Sequence, residues 1–412
     1  MPDAFILLLS RSLKLRALLG LSLCGLLLGL DLWQRDPLPP LPRAAWPVAT
    51  SQVRGAMTDA IAAEVPTDVS GRSWLVKASG QIPMPANTPA AHASTLLPLP
   101  ADHPAALLAF WFAGSRESGP DVEIAASQFE RATQTWSEAR FVVRRNQGGR
   151  LSTGSGVRRL GNPVAWLDAR GRIHLFVVAT GLGGWAAGRI LHLKQVEDVA
   201  KGRDVTTLEF ETMRVLPLSW LWNTSFLVRT TPLPLADGGM ILPAYFELGL
   251  KYPVALRFDA AGEFRGMVRI SSRGHLLQPT LLMRSETDWL ALMRDSSADN
   301  KIKVAQTLNG GRAWHDLPDL PLHNPDAAIA GLTLGPGRMV LAHNAAPDSR
   351  AVLDLSASSD GLNWTRLMSL AQGDGRAEFS YPSMAWADDS LWVSYTDHRR
   401  AIAWQRLTLT RP

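Results

Sequence analysis

The stretch Phe110–Phe129, "FWFAGSRESGPDVEIAASQF", reads as two β-strands joined by a turn that carries Arg116, Glu117 and Asp121 beside a Gly-Pro pair. A tight hairpin needs only Gly, Asn or Pro at such a place. Three ionisable groups there are either a solvated hairpin tip or chemistry mounted on a rigid sheet. A second conspicuous group is Tyr381 in "FSYPS", one of only 4 tyrosines in the chain. The proline after it places it at a strand entrance rather than mid-ladder.

Other chemistries lack their residues. "GLGGWAAG", Gly181–Gly188, is glycine-rich but has no Lys-Ser/Thr and opens no helix, so it is no phosphate loop. Gly-x-Ser-x-Gly, His-Glu-x-x-His and Cys/His zinc patterns are missing, which disfavours a serine triad or a metal hydrolase. No cofactor is expected. The net charge of +5 comes without a Lys/Arg run or aromatic-basic alternation, so no nucleic-acid partner is expected. The single cysteine, Cys24, excludes disulfides and thiol chemistry from the folded part.

The elements that position these groups are short apolar runs separated by Gly, Asp, Asn and Pro, as in "AWLDARGRIHLFVVA", "LTLGPGRMVLAHN" and "MAWADDSLWVSYTD". Each reads strand, turn, strand. Hairpins at this spacing, with 15 Trp, 33 Gly and 28 Pro in 412 residues, indicate an all-β sandwich array or propeller. "TLNGGRAW", Thr307–Trp314, and "SSDGLNW", Ser358–Trp364, share a pattern in which Asp or Asn caps backbone N–H groups, Gly takes positive φ and Trp plugs the hairpin base. Both resemble the Asp-box of sialidase-type propellers. "ASQFERATQTW", ending at Trp136, looks like a degenerate third copy. At roughly 55 residues per blade the resemblance implies a six-bladed β-propeller.

Further segments resemble bacterial sialidase (neuraminidase)-like proteins of the Asp-box (BNR-repeat) superfamily. They include "HAST" at His92, "GNPVAWLDARGRIHLF" at Gly161, "NTSFLVRTTPLPLADGGMILPAYFE" at Asn223, "QPTLL" at Gln278, "LALMRD" at Leu290, "NPDAAIAGLTL" at Asn324 and "EFSYPSMAW" at Glu378. The resemblance implies an exo-glycosidase for an acidic sugar, with an arginine clamp for its carboxylate, a tyrosine nucleophile assisted by a glutamate, and an aspartate acid/base. A phenol suits an anionic sugar, which would repel a carboxylate nucleophile.

On that basis Asp121 matches the acid/base and Tyr381 the nucleophile, with Glu247 or Glu378 as activator. Strand alternation puts Tyr245 and Glu247 on one face and favours Glu247. Arg294 resembles the middle arginine of the clamp, and Arg116, Arg229 and Arg399 compete for the other places. Arginine is the required type because its planar fork gives a carboxylate two parallel hydrogen bonds. His92, Glu117, Tyr245, Gln278, Asn223 and Asn324 complete the substrate-binding candidates; for the two asparagines the alternative is capping of turns. The Phe/Tyr-Arg-Ile-Pro motif of true sialidases is replaced by "HASTLLPLP". Sialic acid is therefore less well supported than glycan chemistry in general, and the alternatives are a non-catalytic glycan-binding or polysaccharide-assembly propeller and a glycosidase or lyase for another acidic sugar.

At the N-terminus Arg11, Lys14 and Arg16 precede "ALLGLSLCGLLLGL", Ala17–Leu30, and a Pro-rich spacer follows. This order reads as a signal-anchor or signal segment, placing the rest outside the cytoplasm, tethered to a bacterial inner membrane or secreted. The expected organisation is anchor and spacer over 1–43, a linker and lead-in over 44–84 with a short helix candidate at 51–65, and the propeller over 85–412.

Overall fold

The computed structural model describes residues 2–33, 74–145, 156–197 and 204–409. The spacer and the helix candidate at 51–65 lie outside the described residues. Residues 74–409 form six antiparallel sheets of four or five strands each, the blades of a β-propeller. The innermost strands of blades 1 to 6 are Ala90–Pro98, Arg159–Leu167, the interrupted pair Phe226–Val228 and Leu233–Pro234, Leu276–Met283, Ala330–Gly335 and Phe379–Ala387. The strand after each is sandwiched between neighbouring blades. Ala105–Gly114 is accordingly buried at every position, which explains why such segments read as continuous apolar runs rather than as alternation.

The ring closes through a strand that the sequence placed in the lead-in. Trp74–Gln81 pairs with Ala401–Leu409 as the outer strand of blade 6. It has no local hairpin partner, so no short-range pattern reveals it. The abundance of tryptophan is partly explained at this junction. Trp392 stacks on Trp404 with centroids 5.6 Å apart, Phe129 of blade 1 meets Trp392 edge-on at 4.6 Å, and Trp136 meets Trp404 at 6.1 Å.

Both Asp-boxes are folding staples between the third and fourth strands of their blades. Asp360 accepts from the N–H groups of Leu362 and Asn363, both at 2.8 Å, and Trp364 Nε1 donates to the Gly361 carbonyl at 2.9 Å. Asn309 accepts from the Ala313 N–H at 2.9 Å, and Trp314 Nε1 donates to the Gly311 carbonyl at 3.2 Å. Trp136 makes no such bond, so the third copy keeps the ring and has lost the staple.

A second repeated device lies on the inner strands. Ala93, Asn162, Gln278 and Tyr381 have φ of 55, 43, 49 and 55°. Each falls where the pairing with the second strand skips, between His92/Thr95, Gly161/Val164, Leu277/Thr280 and Ser380/Ser383. Three of the four precede proline, which the bulge tolerates because no ladder N–H is needed there. These bulges re-aim side chains at one end of the axis. At the other end the inner strands enclose an apolar cavity of about 180 Å³ with Leu97, Trp166, Pro232, Leu334 and Trp386 in its wall.

The N-terminal helix, Pro2–Trp33, exposes Leu18, Leu19, Leu21 and Leu23. Among the described residues no helix is long and apolar enough to cross a membrane.

In blade 2, His174 Nδ1 and His192 Nε2 are 2.8 Å apart and His174 Nε2 is 3.1 Å from Asp168 Oδ2. Burial holds His192 well below 6.5, and burial pulls His343 down to about 4 despite Asp354. Both are neutral in the fold, whereas the unfolded chain takes up protons below about pH 6.5. Their stabilisation is therefore complete above that pH and is lost as pH falls. Between pH 7.5 and 5.5 the loss should be about 1 kcal/mol per histidine. Chemical denaturation at the two pH values checks this, and a flat profile contradicts it. Asp360→Ala should cost roughly 1–2 kcal/mol by orphaning the turn's N–H groups, again read from denaturant midpoints.

Candidate functional site

Tyr381 is half-buried at the bulged end of the blade 6 inner strand, and its ring is held on two sides. The His92 ring lies 4.2 Å from it, centroid to centroid. The Arg229 guanidinium lies 5.2 Å from its centroid. Arg229 is only 2% exposed, and it donates to three carbonyls: Ser94 at 3.1 Å, Pro382 at 2.9 Å, and Tyr381 itself. Burial pulls its pKa down to about 10, with Tyr381 and Tyr245 opposing. Arg229, a candidate for the carboxylate clamp, thus has its terminal nitrogens engaged with backbone carbonyls. It is a cross-brace between the inner strands of blades 1 and 6 and positions Tyr381.

The tyrosine hydroxyl faces Arg294, the second-strand arginine of blade 4, with Nη1 at 3.5 Å. The same Nη1 donates to Gln278 Oε1 at 3.1 Å, and Gln278 Nε2 donates to the Tyr245 hydroxyl at 3.3 Å. Burial lowers the Arg294 pKa, but Tyr381, Asp326 and Tyr245 outweigh this and hold it above its ordinary value. Burial drives the phenol of Tyr245 strongly upward, with Glu247 and Tyr381 adding to the effect. Burial also raises Glu247, against Arg294 and Lys251. A carboxyl held up by desolvation beside an arginine suits proton transfer. Tyr381, Arg294, Gln278 and Tyr245 are joined by hydrogen bonds, and Glu247 lies near enough to Arg294 and Tyr245 to feel their charge.

A chain of charges continues around the axis. Arg399 donates to Glu378 Oε2 at 2.7 Å and to Glu117, and Arg350 donates to Glu378 Oε1 at 3.1 Å. Ser380 also donates to Glu378, at 3.1 Å. Burial raises Glu378, but Arg399, Arg350 and Ser380 hold its pKa below the usual value. Glu378 is a counter-ion to two arginines. His92, Arg116, Glu117 and Arg399 share one shallow cleft with Phe112. His92 Nε2 is 3.8 Å from Glu117, and burial followed by Arg399, Arg229 and Arg350 keeps it neutral.

Three candidates have other bonds. Asp121 is exposed and accepts from the N–H and the hydroxyl of Ser115, both at 2.8 Å, so its carboxylate caps its own hairpin. These bonds hold its pKa down against the effect of burial. Asn223 bonds the Leu218 N–H and the Leu216 carbonyl at 3.0 and 2.9 Å. Asn324 bonds both the N–H and the carbonyl of Ala327, at 3.0 and 2.9 Å. Both amides are spent as turn staples.

Two site residues escaped the sequence reading. Arg350 lies 6.0 Å from the Tyr381 ring centroid, and Asp326 accepts from Arg294 Nε at 2.6 Å. Arg350 sits between the second and third strands of blade 5, as Glu117 and Arg399 do in blades 1 and 6. Counting back from the Asp-box at Ser358–Trp364 reaches that loop and would have nominated it.

A six-sheet propeller with Asp-box staples and an arginine-lined axial funnel defines a sialidase-like architecture. Residues 105–393 match the family described as BNR repeat-like domain, and the chain belongs to that family. Among solved structures it is similar to the Hadza microbial sialidase Hz136, at 16% identity and a TM-score of 0.61, covering 77% of this chain and 65% of that one. It is similar to Trypanosoma rangeli sialidase at 13% identity and a TM-score of 0.59, with 82% and 60% covered. A Dyadobacter fermentans protein of unknown function is similar over its full length, at 11% identity and a TM-score of 0.63. The chain thus spans under two thirds of the two sialidases, and at these identities the likeness is one of fold. No curated protein sequence matches.

Arg229→Met should destabilise the fold by at least about 3 kcal/mol, since three carbonyls lose a charged donor. Arg116→Met, on the exposed loop, should change stability by less than about 0.5 kcal/mol. Urea denaturation of both variants separates a brace from a surface arginine.

Proposed function

We propose that this chain is a sialidase-like exo-glycosidase that binds an acidic sugar of an extracytoplasmic glycan in the axial funnel. The observation that carries the reading is the contact of the Tyr381 hydroxyl with Arg294, beside Arg350, at the bulged end of the axis. In this reading Tyr381 is the nucleophile, and Glu247 is the carboxyl that takes its proton. Arg294 and Arg350 receive the sugar carboxylate, with Arg399 and Arg116 at the rim. Trypanosoma rangeli sialidase, a fold neighbour, has been solved in complex with sialic acid, which supports an acidic sugar as the class to try first. The acid/base is assigned to Asp121, which must leave Ser115 to act; Glu117, on the same loop and already in the His92 cleft, is its competitor.

One observation favours binding without turnover. Gln278, an amide that cannot accept a proton from a phenol, bridges Arg294 and Tyr245 beside Tyr381. The extracytoplasmic placement, tethered or secreted, rests on the basic-then-apolar order of residues 11–30.

Incubation of the chain with a panel of aryl glycosides, sialosides and uronosides included, tests the enzyme reading. Turnover of an acidic glycoside is expected, with a loss of at least about 100-fold in Tyr381→Phe. Asp121→Asn and Glu117→Gln then assign the acid/base, which should cost about 100-fold in one variant and little in the other. Binding of an acidic sugar by calorimetry with no turnover would establish the second reading instead.

A further inference from the structure

Two of the arginines around Tyr381, Arg294 and Arg350, are already engaged by a single residue of the protein itself. Asp326 lies in the connection between blades 4 and 5. Its carboxylate accepts from Arg294 Nε at 2.6 Å, and its backbone carbonyl accepts from Arg350 Nη2 at 2.7 Å. Its own N–H donates to the Asn324 carbonyl at 2.9 Å, and its φ of 46° is in the left-handed region. Asn324 in turn is tied by both ends of its amide to Ala327. The backbone at this position is pinned from both sides.

The side chain is not pinned. It is 46% exposed, whereas that of Arg294 is 11% exposed. A change of one rotamer would carry the Asp326 carboxylate into solvent without moving the chain. Arg294 would then have no anion on Nε, in a setting where a desolvated guanidinium needs one.

We propose that Asp326 is a built-in counter-ligand: it occupies on Arg294 the place that an incoming carboxylate takes, and binding exchanges one carboxylate for the other. The proposal rests on the acidic-sugar reading for its biological ligand and on geometry alone for the exchange. Its consequence is selectivity. A ligand carrying a carboxylate replaces what it displaces, whereas a neutral sugar leaves Arg294 with Asp326 and gains nothing from it. Asp326 thereby lowers affinity for all anions while raising the requirement that the ligand be one.

The test compares the full chain with Asp326→Asn, which keeps the shape of the side chain and removes its charge. Sodium acetate, glucuronic acid, N-acetylneuraminic acid and galactose are titrated by calorimetry. The Arg294 Nε–H resonance, assigned by its loss in Arg294→Lys, is followed by NMR. Asp326→Asn should bind acetate and the acidic sugars about fivefold tighter than the parent chain, the range expected for loss of one partly exposed ion pair. Galactose binding should be unchanged, and acetate should shift the Arg294 resonance. Equal or weaker acetate and acidic-sugar binding in Asp326→Asn, with an unchanged melting temperature, overturns the proposal. If acetate shifts Arg294 in Asp326→Asn but neither protein takes any acidic sugar, the exchange stands and the functional reading alone fails.

Discussion

The architecture depends on a buried guanidinium. Taking an arginine out of water is costly unless every direction of its fork finds an acceptor. Arg229 meets this condition at both terminal nitrogens, which draw on carbonyls from two other blades, those of Ser94, Tyr381 and Pro382, while its buried Nε has no partner. Those carbonyls are available because the inner strands of blades 1 and 6 bulge beside them and leave the ladder. The brace, the bulges and the left-handed conformation of Tyr381 are therefore one arrangement, in which backbone strain of about 1–3 kcal/mol is retained because the surroundings over-determine it. The same brace divides the axis into a polar funnel on one side and an apolar cavity on the other.

Within the funnel, charge is organised as a sequence of pairs. Arg294 meets Asp326, Arg350 and Arg399 both meet Glu378, and Arg399 also meets Glu117. No blade supplies two neighbouring members of this sequence from the same strand. Each of these arginines is thus held by a carboxylate of another strand or loop.

The propeller was legible because its signals are local. Turn residues, hairpin spacing and two Asp-boxes each lie within a short window, and their physical roles survive in the structure unchanged. Tyr381 was legible for a related reason, since a proline after a rare tyrosine marks a break in the ladder. What the sequence could not show is which partner each charge finds. Arg229 and Arg399 are of one residue type and both precede or follow strands, yet one is buried among carbonyls and the other half-exposed among carboxylates. All the partners of Arg229, and Glu117 on Arg399, come from more than 100 residues away in the chain. Asn223 and Asn324 were ambiguous for the opposite reason: an amide that caps a turn and one that binds a hydroxyl have the same local sequence. Arg350 stands in no strand or turn motif of its own, and only the equivalence of the loops between second and third strands marks it.

The strand Trp74–Gln81 is the earliest part of the propeller to be synthesised, and its partner is Ala401–Leu409 at the other end of the ring. Blade 6 also supplies Tyr381 and Arg399, and Arg229 waits for the carbonyls of Tyr381 and Pro382. At a translation rate of about 5–20 residues per second, the strand Trp74–Gln81 emerges well before the partner with which it pairs. The first and last strands of the propeller lie side by side in one sheet, so any segment joined to either leaves the ring at the same blade.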